Sequence, residues 1–344
     1  MRRRAALLVA LIPGAAGAQD VAKVPGMDGE FRGLAARGAE VWASGRGGRW
    51  ARSTDGGRTW VSGLIPTADS LVLVDVEILG PGVACVLGTG FTGGLARAFR
   101  TEDGGNTWTN VFQRRHPQVF FDGMAFWDSD RGVAFSDPVD GGFLVLRTDD
   151  GCRSWTEVPA ERVPAPLPGE AGFAASGTAI TTAGAAHAWI GTGGGTVARV
   201  LRTTDGGRTW AAHRTPLAAG QAAGIFGIAF RDTLNGVAVG GNYQDPAAAA
   251  PNILRTTDGG LTWTVVGTSA PAGVRYGVRY APGAPRPALV AVGPTGWGHS
   301  MDDGAGWVAV DTLNAFTVAL SARAVWTAGP GGRVARFDPA PWMR

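Results

Sequence analysis

Ser53-Thr-Asp-Gly-Gly-Arg-Thr-Trp60 is the first of six copies of one octet in this 344-residue chain. The other copies are Thr101-Glu-Asp-Gly-Gly-Asn-Thr-Trp108, Thr148-Asp-Asp-Gly-Cys-Arg-Ser-Trp155, Thr203-Thr-Asp-Gly-Gly-Arg-Thr-Trp210, Thr256-Thr-Asp-Gly-Gly-Leu-Thr-Trp263 and Ser300-Met-Asp-Asp-Gly-Ala-Gly-Trp307. Counted from these positions, successive tryptophans are 48, 47, 55, 53 and 44 residues apart. That spacing is typical of one four-stranded propeller blade.

The octet, which we call the Asp box, has the composition of a tight hairpin turn. Its aspartate can accept hydrogen bonds from turn amides, and its glycines supply backbone conformations that other residues disfavour. Its tryptophan can bury a large ring against the blade. We therefore expect a structural role for the six box aspartates, which are Asp55, Asp103, Asp150, Asp205, Asp258 and Asp302.

Each repeat also contains strand patterns around its Asp box, as the fifth repeat illustrates. Its predicted strands are Ile225 to Phe230, Gly236 to Gly240, Ile253 to Thr257 and Thr262 to Val266. The same order fits residues 31–64, 71–113, 119–158, 173–213 and 274–310, and no segment of useful length has helical periodicity.

A seventh repeat begins but lacks its Asp box. Its predicted strands are Phe316 to Leu320, Ala324 to Ala328 and Arg333 to Phe337, and Asp20 to Val24 can supply the fourth. Pairing of the two chain ends would close the ring and leave no open sheet edge. The sequence therefore predicts an all-β fold, a single seven-bladed β-propeller of four-stranded antiparallel blades over residues 19–344.

Residues 1–18 have the pattern of a signal peptide. Three arginines at positions 2–4 precede a short apolar run, and Ala-Gly-Ala at 16–18 is a typical cleavage signature. We expect a periplasmic or secreted protein after cleavage near Ala18. Without those arginines the chain has 28 basic and 28 acidic residues, so nothing in its charge indicates nucleic-acid binding.

The chain has two cysteines, Cys85 and Cys152. An exported protein could join them in a disulfide. They lie in different repeats at non-equivalent positions, which favours two unbridged cysteines, although the sequence alone does not decide.

Blade topology assigns the loops to two faces. The Asp boxes join third strands to fourth strands and lie on one face. Loops between second and third strands, and between blades, lie on the other, which we call the loop-rich face. The unusual Pro- and Gly-rich loops there are residues 136–142, 156–172, 191–198, 242–252 and 293–298. Because rigid scaffolds commonly carry function on such loops, we expect function on this face.

The inner strands begin at the loop-rich face and line the central channel. Their alignment places glycine at five of seven positions in one tier, which predicts close approach of backbones around the axis. The alternative for the polar groups above this tier is that they simply face water. The candidate binding residues at the channel mouth are Arg32, Asp122, Asp137, Glu170, Ser176, Tyr243, Arg275 and Tyr276.

An arginine stands three residues before the box aspartate in five repeats. Such a row could form a ring of positive charge for an acidic partner. The simpler interpretation is that each arginine pairs with polar groups of its own blade. The residues are Arg52, Arg100, Arg147, Arg202 and Arg255, with Arg336 in phase in the last repeat.

The sequence indicates neither a metal site nor a cofactor. Its four histidines are dispersed, and no phosphate-binding loop or nucleophile elbow is present. Glycoside hydrolysis is the serious enzymatic alternative because sialidases also carry Asp boxes, but we assign no catalytic residue. The candidates are Arg32, Arg275 and Arg279 for a carboxylate clamp, and Asp122, Asp137 or Glu170 for a two-carboxylate mechanism.

Five longer segments are similar to those of one family. They are Phe120-Phe-Asp-Gly-Met-Ala-Phe-Trp-Asp128, Gly132-Val-Ala-Phe-Ser-Asp-Pro-Val-Asp-Gly141, Pro168-Gly-Glu-Ala-Gly-Phe-Ala-Ala-Ser-Gly-Thr178, Trp189-Ile-Gly-Thr-Gly-Gly-Gly195 and Ala291-Val-Gly-Pro-Thr-Gly296. With the Asp boxes, also called bacterial neuraminidase repeats, the mature chain resembles the photosystem II assembly/stability factor family, in particular an exported bacterial branch. In photosynthetic members the resemblance implies a non-enzymatic scaffold that binds membrane-protein intermediates during assembly.

Two functions follow as expectations. The first is an exported, non-enzymatic binding or assembly scaffold that acts through the loop-rich face and the channel mouth. Its partner would be a protein or a glycan, its contact with membranes would come only through a partner, and the chain would be a monomer. The second is an exported sialidase-like glycoside hydrolase.

Overall fold

The computed structural model describes residues 20–90, 94–322 and 324–337, which form seven four-stranded antiparallel sheets. Blade 1 contains β2 (Phe31–Arg37), β3 (Glu40–Gly45), β4 (Arg49–Ser53) and β5 (Val61–Leu64), and blade 2 contains β6 (Val72–Gly80), β7 (Val83–Thr89), β8 (Leu95–Thr101) and β9 (Thr109–Arg115). Blade 3 contains β10 (Phe121–Phe126), β11 (Gly132–Val139), β12 (Gly142–Thr148) and β13 (Thr156–Glu157), and blade 4 contains β14 (Ile180–Ala183), β15 (His187–Gly191), β16 (Arg199–Thr203) and β17 (Ala211–Arg214). Blade 5 contains β18 (Ala223–Phe230), β19 (Gly236–Asn242), β20 (Ile253–Thr256) and β21 (Thr264–Gly267), and blade 6 contains β22 (Gly277–Tyr280), β23 (Leu289–Gly293), β24 (Gly296–Ser300) and β25 (Val308–Asp311). Blade 7 contains β26 (Thr317–Leu320), β27 (Val325–Ala328), β28 (Arg333–Phe337) and β1 (Asp20–Lys23).

Helix in the described chain is limited to two 3-10 turns, Ala160–Arg162 and Pro330–Gly332. Neither is long or apolar enough to cross a bilayer. The predicted signal peptide lies outside the described residues.

The ring is closed by the two chain ends, as the sequence predicts. β1 pairs with β28 in antiparallel register, from Asp20 opposite Arg336 to Lys23 opposite Arg333. The inner strand of each blade contacts that of the next, and β26 contacts β2. The missing fourth strand of blade 7 is therefore supplied from the other end of the chain, and its third strand is not left as an open edge.

Each Asp box is held by its aspartate and by the Ser or Thr two residues earlier. In the first box, Asp55 Oδ1 accepts hydrogen bonds from the Arg58 and Thr59 amides at 3.0 and 2.9 Å. Asp55 Oδ2 accepts one from the Thr59 hydroxyl at 2.7 Å, and these bonds hold the pKa of Asp55 at about 2. All five other box aspartates accept an equivalent amide hydrogen bond.

The fifth residue of the Asp box packs each blade against the preceding one. In all six copies this residue has positive φ, between 66° and 95°, which favours glycine. A Cβ atom on Gly105 would collide with Trp50 of blade 1, and one on Gly260 would lie 3.0 Å from Trp189 of blade 4. Glycine is therefore required both by the turn and by the neighbouring blade.

A disulfide joins Cys85 and Cys152, whereas the sequence had favoured two unbridged cysteines. Cys152 stands at the fifth box position of blade 3, with φ 66°, and Cys85 lies on β7 of blade 2. Their Cα atoms are 6.2 Å apart, within the range for a disulfide, and both side chains are buried. The packing of each box on the preceding blade brings these non-equivalent positions together.

The arginines that precede the boxes bind groups of their own blade or of the next. Arg52 donates to Glu40 in blade 1 at 2.8 Å, in agreement with the simpler interpretation. Arg147 of blade 3 donates to Asp149 of its own Asp box at 3.0 Å and also to Gly206 O, in the Asp box of blade 4, at 2.6 Å. These two arginines serve contacts within and between blades.

We predict that loss of the disulfide destabilises the propeller. Cys85→Ala and Cys152→Gly, the second of which restores the usual box glycine, should each lower the free energy of unfolding by up to about 4 kcal/mol. The reason is that a cross-link between residues 67 apart restricts the unfolded chain. Denaturant titration with and without reductant measures the effect. Reductant should lower the free energy of unfolding of the parent protein and leave that of both variants unchanged. An equal decrease in all three proteins would contradict the prediction.

Candidate functional site

β-bulges aim the side chains at the channel mouth. In blades 1, 2, 3 and 5 the pairing of the first two strands shifts register at the same place. The extra residue of a bulge leaves the regular alternation of the strand, so its side chain is re-aimed. The four extra residues are Arg32, Val74, Asp122 and Phe226.

Ser176 and Gly177 of blade 4 fill the middle of the channel, which separates its two ends. Ser176 O accepts a hydrogen bond from the Thr317 hydroxyl of blade 7 at 2.8 Å, and a Cβ atom on Gly177 would collide with the Asp75 carboxylate of blade 2. A Cβ atom on Gly33 would lie only 2.8 Å from the Cα atom of Asp75 across the inner strands. The buried Asp75 carboxylate accepts the Val76 and Met124 amides, both at 2.8 Å. The tier of glycines therefore marks the close approach that the alignment predicts.

A cavity of about 410 Å³ opens at the mouth on the loop-rich face, and we call it the mouth cavity. Arg32, Asp122, Asp137, Tyr243 and Tyr276 line it, so five of the eight candidate binding residues come together. Inner strands, a second strand and the long loop after β19 contribute these residues.

Stacked aromatic rings form one wall of the mouth cavity. Phe173 and Phe226 are parallel with ring centroids 4.1 Å apart, and Tyr243 meets both edge-on at 6.4 and 6.3 Å. Tyr276 lies 5.5 Å from Phe226. Sequence reasoning missed Phe173 and Phe120, which also line the cavity. For Phe173, the sequence signal was a phenylalanine among small residues, in a loop that leads into the inner strand of blade 4.

Arg32 lines the same cavity beside the aromatic wall and is already bound. Its Nη2 and Nε donate to Glu30 Oε1 at 2.9 and 3.2 Å, and its guanidinium carbon lies 4.9 Å from the centroid of Phe316. Its Nη1 reaches Ala174 O at 3.5 Å. Arg32 thus connects blade 1 to the linker before blade 4, and its charge is largely balanced by Glu30.

Asp122 and Asp137, which we call the carboxylate pair, come from two bulges in adjacent strands of blade 3. Asp137 Oδ1 accepts the Gly172 amide at 2.8 Å. Burial raises the pKa of Asp137 to about 6. Burial, and then the neighbouring Asp137, raise the pKa of Asp122 well above its usual value. A Cβ atom on Gly172 would collide with the Asp122 carboxylate, so glycine permits the loop to cross over it.

The structure does not bring Glu170 or Ser176 into the mouth cavity. Glu170 is buried in an ion pair with Arg199, and it accepts the Leu167 amide at 2.8 Å, so it holds the linker between blades 3 and 4 in place. Ser176 is buried and donates to Tyr276 O at 2.7 Å. Both side chains serve the fold.

Arg275 is also absent from the mouth cavity. Its side chain is fully buried, and it donates to the carbonyl groups of Gly296, Ala272 and Gly273 at 2.7, 3.0 and 3.1 Å. Burial lowers its pKa to about 10. Arg275 therefore fixes loops of blade 6 instead of offering charge to a ligand.

The three arginines proposed for a sialidase clamp do not converge. Arg279 lies at the opposite end of the channel, 3.7 Å from Glu77, in a separate cavity of about 350 Å³. Arg32 is at the loop-rich face, and Arg275 is enclosed. In the described chain no group of three or more His, Cys, Asp or Glu side chains is arranged to hold a metal ion.

Comparison with known proteins shows which fold this is. No protein-family model matches the chain, and no curated protein matches it by sequence. Among solved structures, "YCF48 bound to D1 peptide" is 13% identical with a TM-score of 0.65, covering 93% of this chain and 97% of that one. The fold is that of a seven-bladed propeller. "YCF48 from Cyanidioschyzon merolae" is 15% identical with a TM-score of 0.63, covering 94% and 99%. A chain of a mitotic checkpoint complex is 11% identical with a TM-score of 0.61, covering 98% and 99%.

We predict that the carboxylate pair costs stability at neutral pH. A native pKa near 6 for Asp137, against about 3.8 when unfolded, means that the native state binds more protons between these pH values. Stability contributed by the protonated acid is therefore lost as pH rises from 4 to 6. Asp137→Asn should raise the free energy of unfolding at pH 7 by about 1–3 kcal/mol, with no gain at pH 4.

Denaturant titration at the two pH values measures this difference. Asp245→Asn removes an exposed carboxylate from the same face and serves as the control. An Asp137→Asn variant that is less stable than the parent at pH 7 would show that the charged form supports the fold.

Proposed function

We propose that this chain is an exported, non-enzymatic binding scaffold whose mouth cavity holds a segment of a protein partner. The observation that carries the proposal is the wall of Phe173, Phe226, Tyr243 and Tyr276 beside Arg32. Aromatic and arginine side chains in a concave site are typical of the residues that dominate protein–protein binding. Tyr243 is 44% exposed and stands at the rim.

The class of partner is supported by the structural neighbour described as YCF48 bound to D1 peptide. By analogy, a peptide segment is the ligand we propose for this chain, and the family resemblance of its sequence agrees with an assembly role. A filled channel behind the mouth cavity favours a segment that enters and leaves by the same face. We expect a monomer that meets membranes only through its partner.

Export is part of the proposal. The signal-peptide pattern at residues 1–18 motivates it, and a buried disulfide between blades supports it, because such bonds persist in oxidising compartments.

A sialidase-like hydrolase is the second candidate, favoured by the two acids with raised pKa at the mouth cavity. Against it stands the separation of Arg32, Arg275 and Arg279. We therefore expect no turnover of fluorogenic sialosides or hexosides. Turnover that Asp122→Asn abolishes would replace the scaffold proposal with the hydrolase.

We predict that Tyr243→Ala abolishes capture of the partner. The chain, crosslinked in the periplasm and recovered by an affinity tag, should retain a specific protein that the variant loses, since a rim tyrosine supplies contact area to the partner. Leu234→Ala, which truncates an exposed apolar residue on the Asp-box face, is the matched control and should retain the partner. Recovery of the same proteins by Tyr243→Ala and Leu234→Ala would contradict the proposal.

We also predict that the mature chain begins near Gln19. N-terminal sequencing of protein recovered from the periplasm or medium measures this. An intact Met1 in a purely cytoplasmic fraction would contradict export.

A further inference from the structure

The carboxylate pair has no cationic partner in the described chain, unlike several other acids that are largely removed from solvent. No ion pair among the described residues includes Asp122 or Asp137, although arginines partner other acids that are largely removed from solvent. Those pairs are Glu170 with Arg199, Asp303 with Arg231 and Glu77 with Arg279. Asp75, buried in the channel, also lies outside these ion pairs, but its carboxylate accepts the Val76 and Met124 amides at 2.8 Å. The carboxylate pair is therefore left without a balancing cation beside a cavity.

Asp122 is also without hydrogen-bond partners. It is 1% exposed, and neither of its carboxylate oxygens accepts a hydrogen bond within the described residues. The nearby Asp137 amide donates its hydrogen bond to Phe120 O at 2.9 Å. It lowers the pKa of Asp122 by less than burial raises it. An unpartnered buried carboxylate is costly to a fold, and Asp122 lies at a cavity where a ligand could supply the missing partner.

The other walls of the mouth cavity suit a cation. Phe173, Phe226 and Tyr276 present aromatic rings, whose faces attract positive charge. The one arginine that lines the cavity, Arg32, is bound to Glu30 and forms no ion pair with the carboxylate pair. The described chain thus provides the acids and the rings but not the cation.

We propose that the mouth cavity binds one protonated amine or guanidinium group presented by the partner segment. This inference rests on the proposed function and adds the chemistry that the partner must carry. Asp137, the more accessible acid, would contact the cation, and Asp122 lies beneath it in the same cavity. The aromatic wall would enclose the aliphatic stem of the group. Its source is a lysine or arginine side chain, or an amino terminus.

Short peptides test the proposal on the full mature chain. The probes are acetylated, amidated Gly-Ala-Lys-Ala-Gly and its variants with arginine, norleucine or glutamate at the centre. The norleucine peptide with a free amino terminus separates the two sources. Titration followed by NMR should give affinities for the lysine or arginine peptide, or for the free amino terminus, at least about tenfold above blocked norleucine.

Substitutions link that selectivity to the carboxylate pair. Asp137→Asn and Asp122→Asn preserve side-chain shape, and each should bring the ratio of cationic to norleucine affinity close to one. Asp245→Asn should leave the ratio unchanged. Thermal unfolding verifies that all three variants are folded. Equal affinities in the parent, no saturable binding of any cationic peptide, or an unchanged ratio in Asp137→Asn would each overturn the proposal.

Failure of this inference can be told apart from failure of the proposed function. If no cationic peptide binds but Tyr243→Ala still loses the crosslinked partner, the scaffold stands and cation recognition is wrong. If cationic peptides bind selectively but Tyr243→Ala retains every crosslinked protein, the mouth cavity recognises cations without serving the partner.

Discussion

The contact between each Asp box and the preceding blade is the constraint on which the ring depends. The box aspartate accepts hydrogen bonds from the amides of its turn. The turn then places a residue with positive φ against the neighbouring blade. At Gly105 no side chain could fit between that backbone and Trp50. The turn chemistry and the packing between blades are thus one feature, which is why a short local motif predicts a global architecture.

Blade 7, which lacks an Asp box, shows which contacts replace the one between box and preceding blade. The sequence of blade 7 has no Asp box, and within the described residues no box turn packs against blade 6. Phe337 instead packs edge-on against Trp297 at 4.6 Å between ring centroids, and β1 completes the sheet. On its other side, Trp326 of blade 7 donates to Gly56 O at 3.1 Å, in the Asp box of blade 1. The closing blade is held by the Asp box of blade 1, by the contact of Phe337 with Trp297 and by the pairing of β1 with β28.

The limits of sequence reasoning follow from the same geometry. Strands and box turns could be predicted because each has a local pattern that repeats, and the closing strand could be predicted because the seventh repeat lacks one strand. The disulfide could not, since Cys85 and Cys152 meet through lateral packing of different repeat positions. Phe173 was missed for a related reason, because it lies in a linker with no counterpart in the other blades.

Within the site, alignment succeeded where a repeat position fixed the direction of a side chain. Arg32 and Asp122 occupy equivalent bulges, so their shared orientation could be inferred from position alone. Glu170 and Arg275 are polar and near the mouth in sequence, but each is bound by the first residue of a third strand, Arg199 and Gly296 respectively. No repeat position predicts these contacts. Polarity indicates that a group needs partners and does not tell whether they belong to the protein or to a ligand.

Blades that are nearly equivalent offer nearly the same surface seven times. We therefore expect a specific binding site where one blade differs from the others. Among the described blades, only blade 3 adds a bulge between its second and third strands, at Asp137, beside the inner-strand bulge at Asp122. Two irregularities in one blade bring two acids together in a buried place. Burial raises the pKa of both acids, and Asp137 raises that of Asp122 further. Regular pairing would separate these side chains and relieve the repulsion. The fold therefore bears a local cost at the channel mouth that its own architecture does not require, and a cationic group bound there would offset that cost.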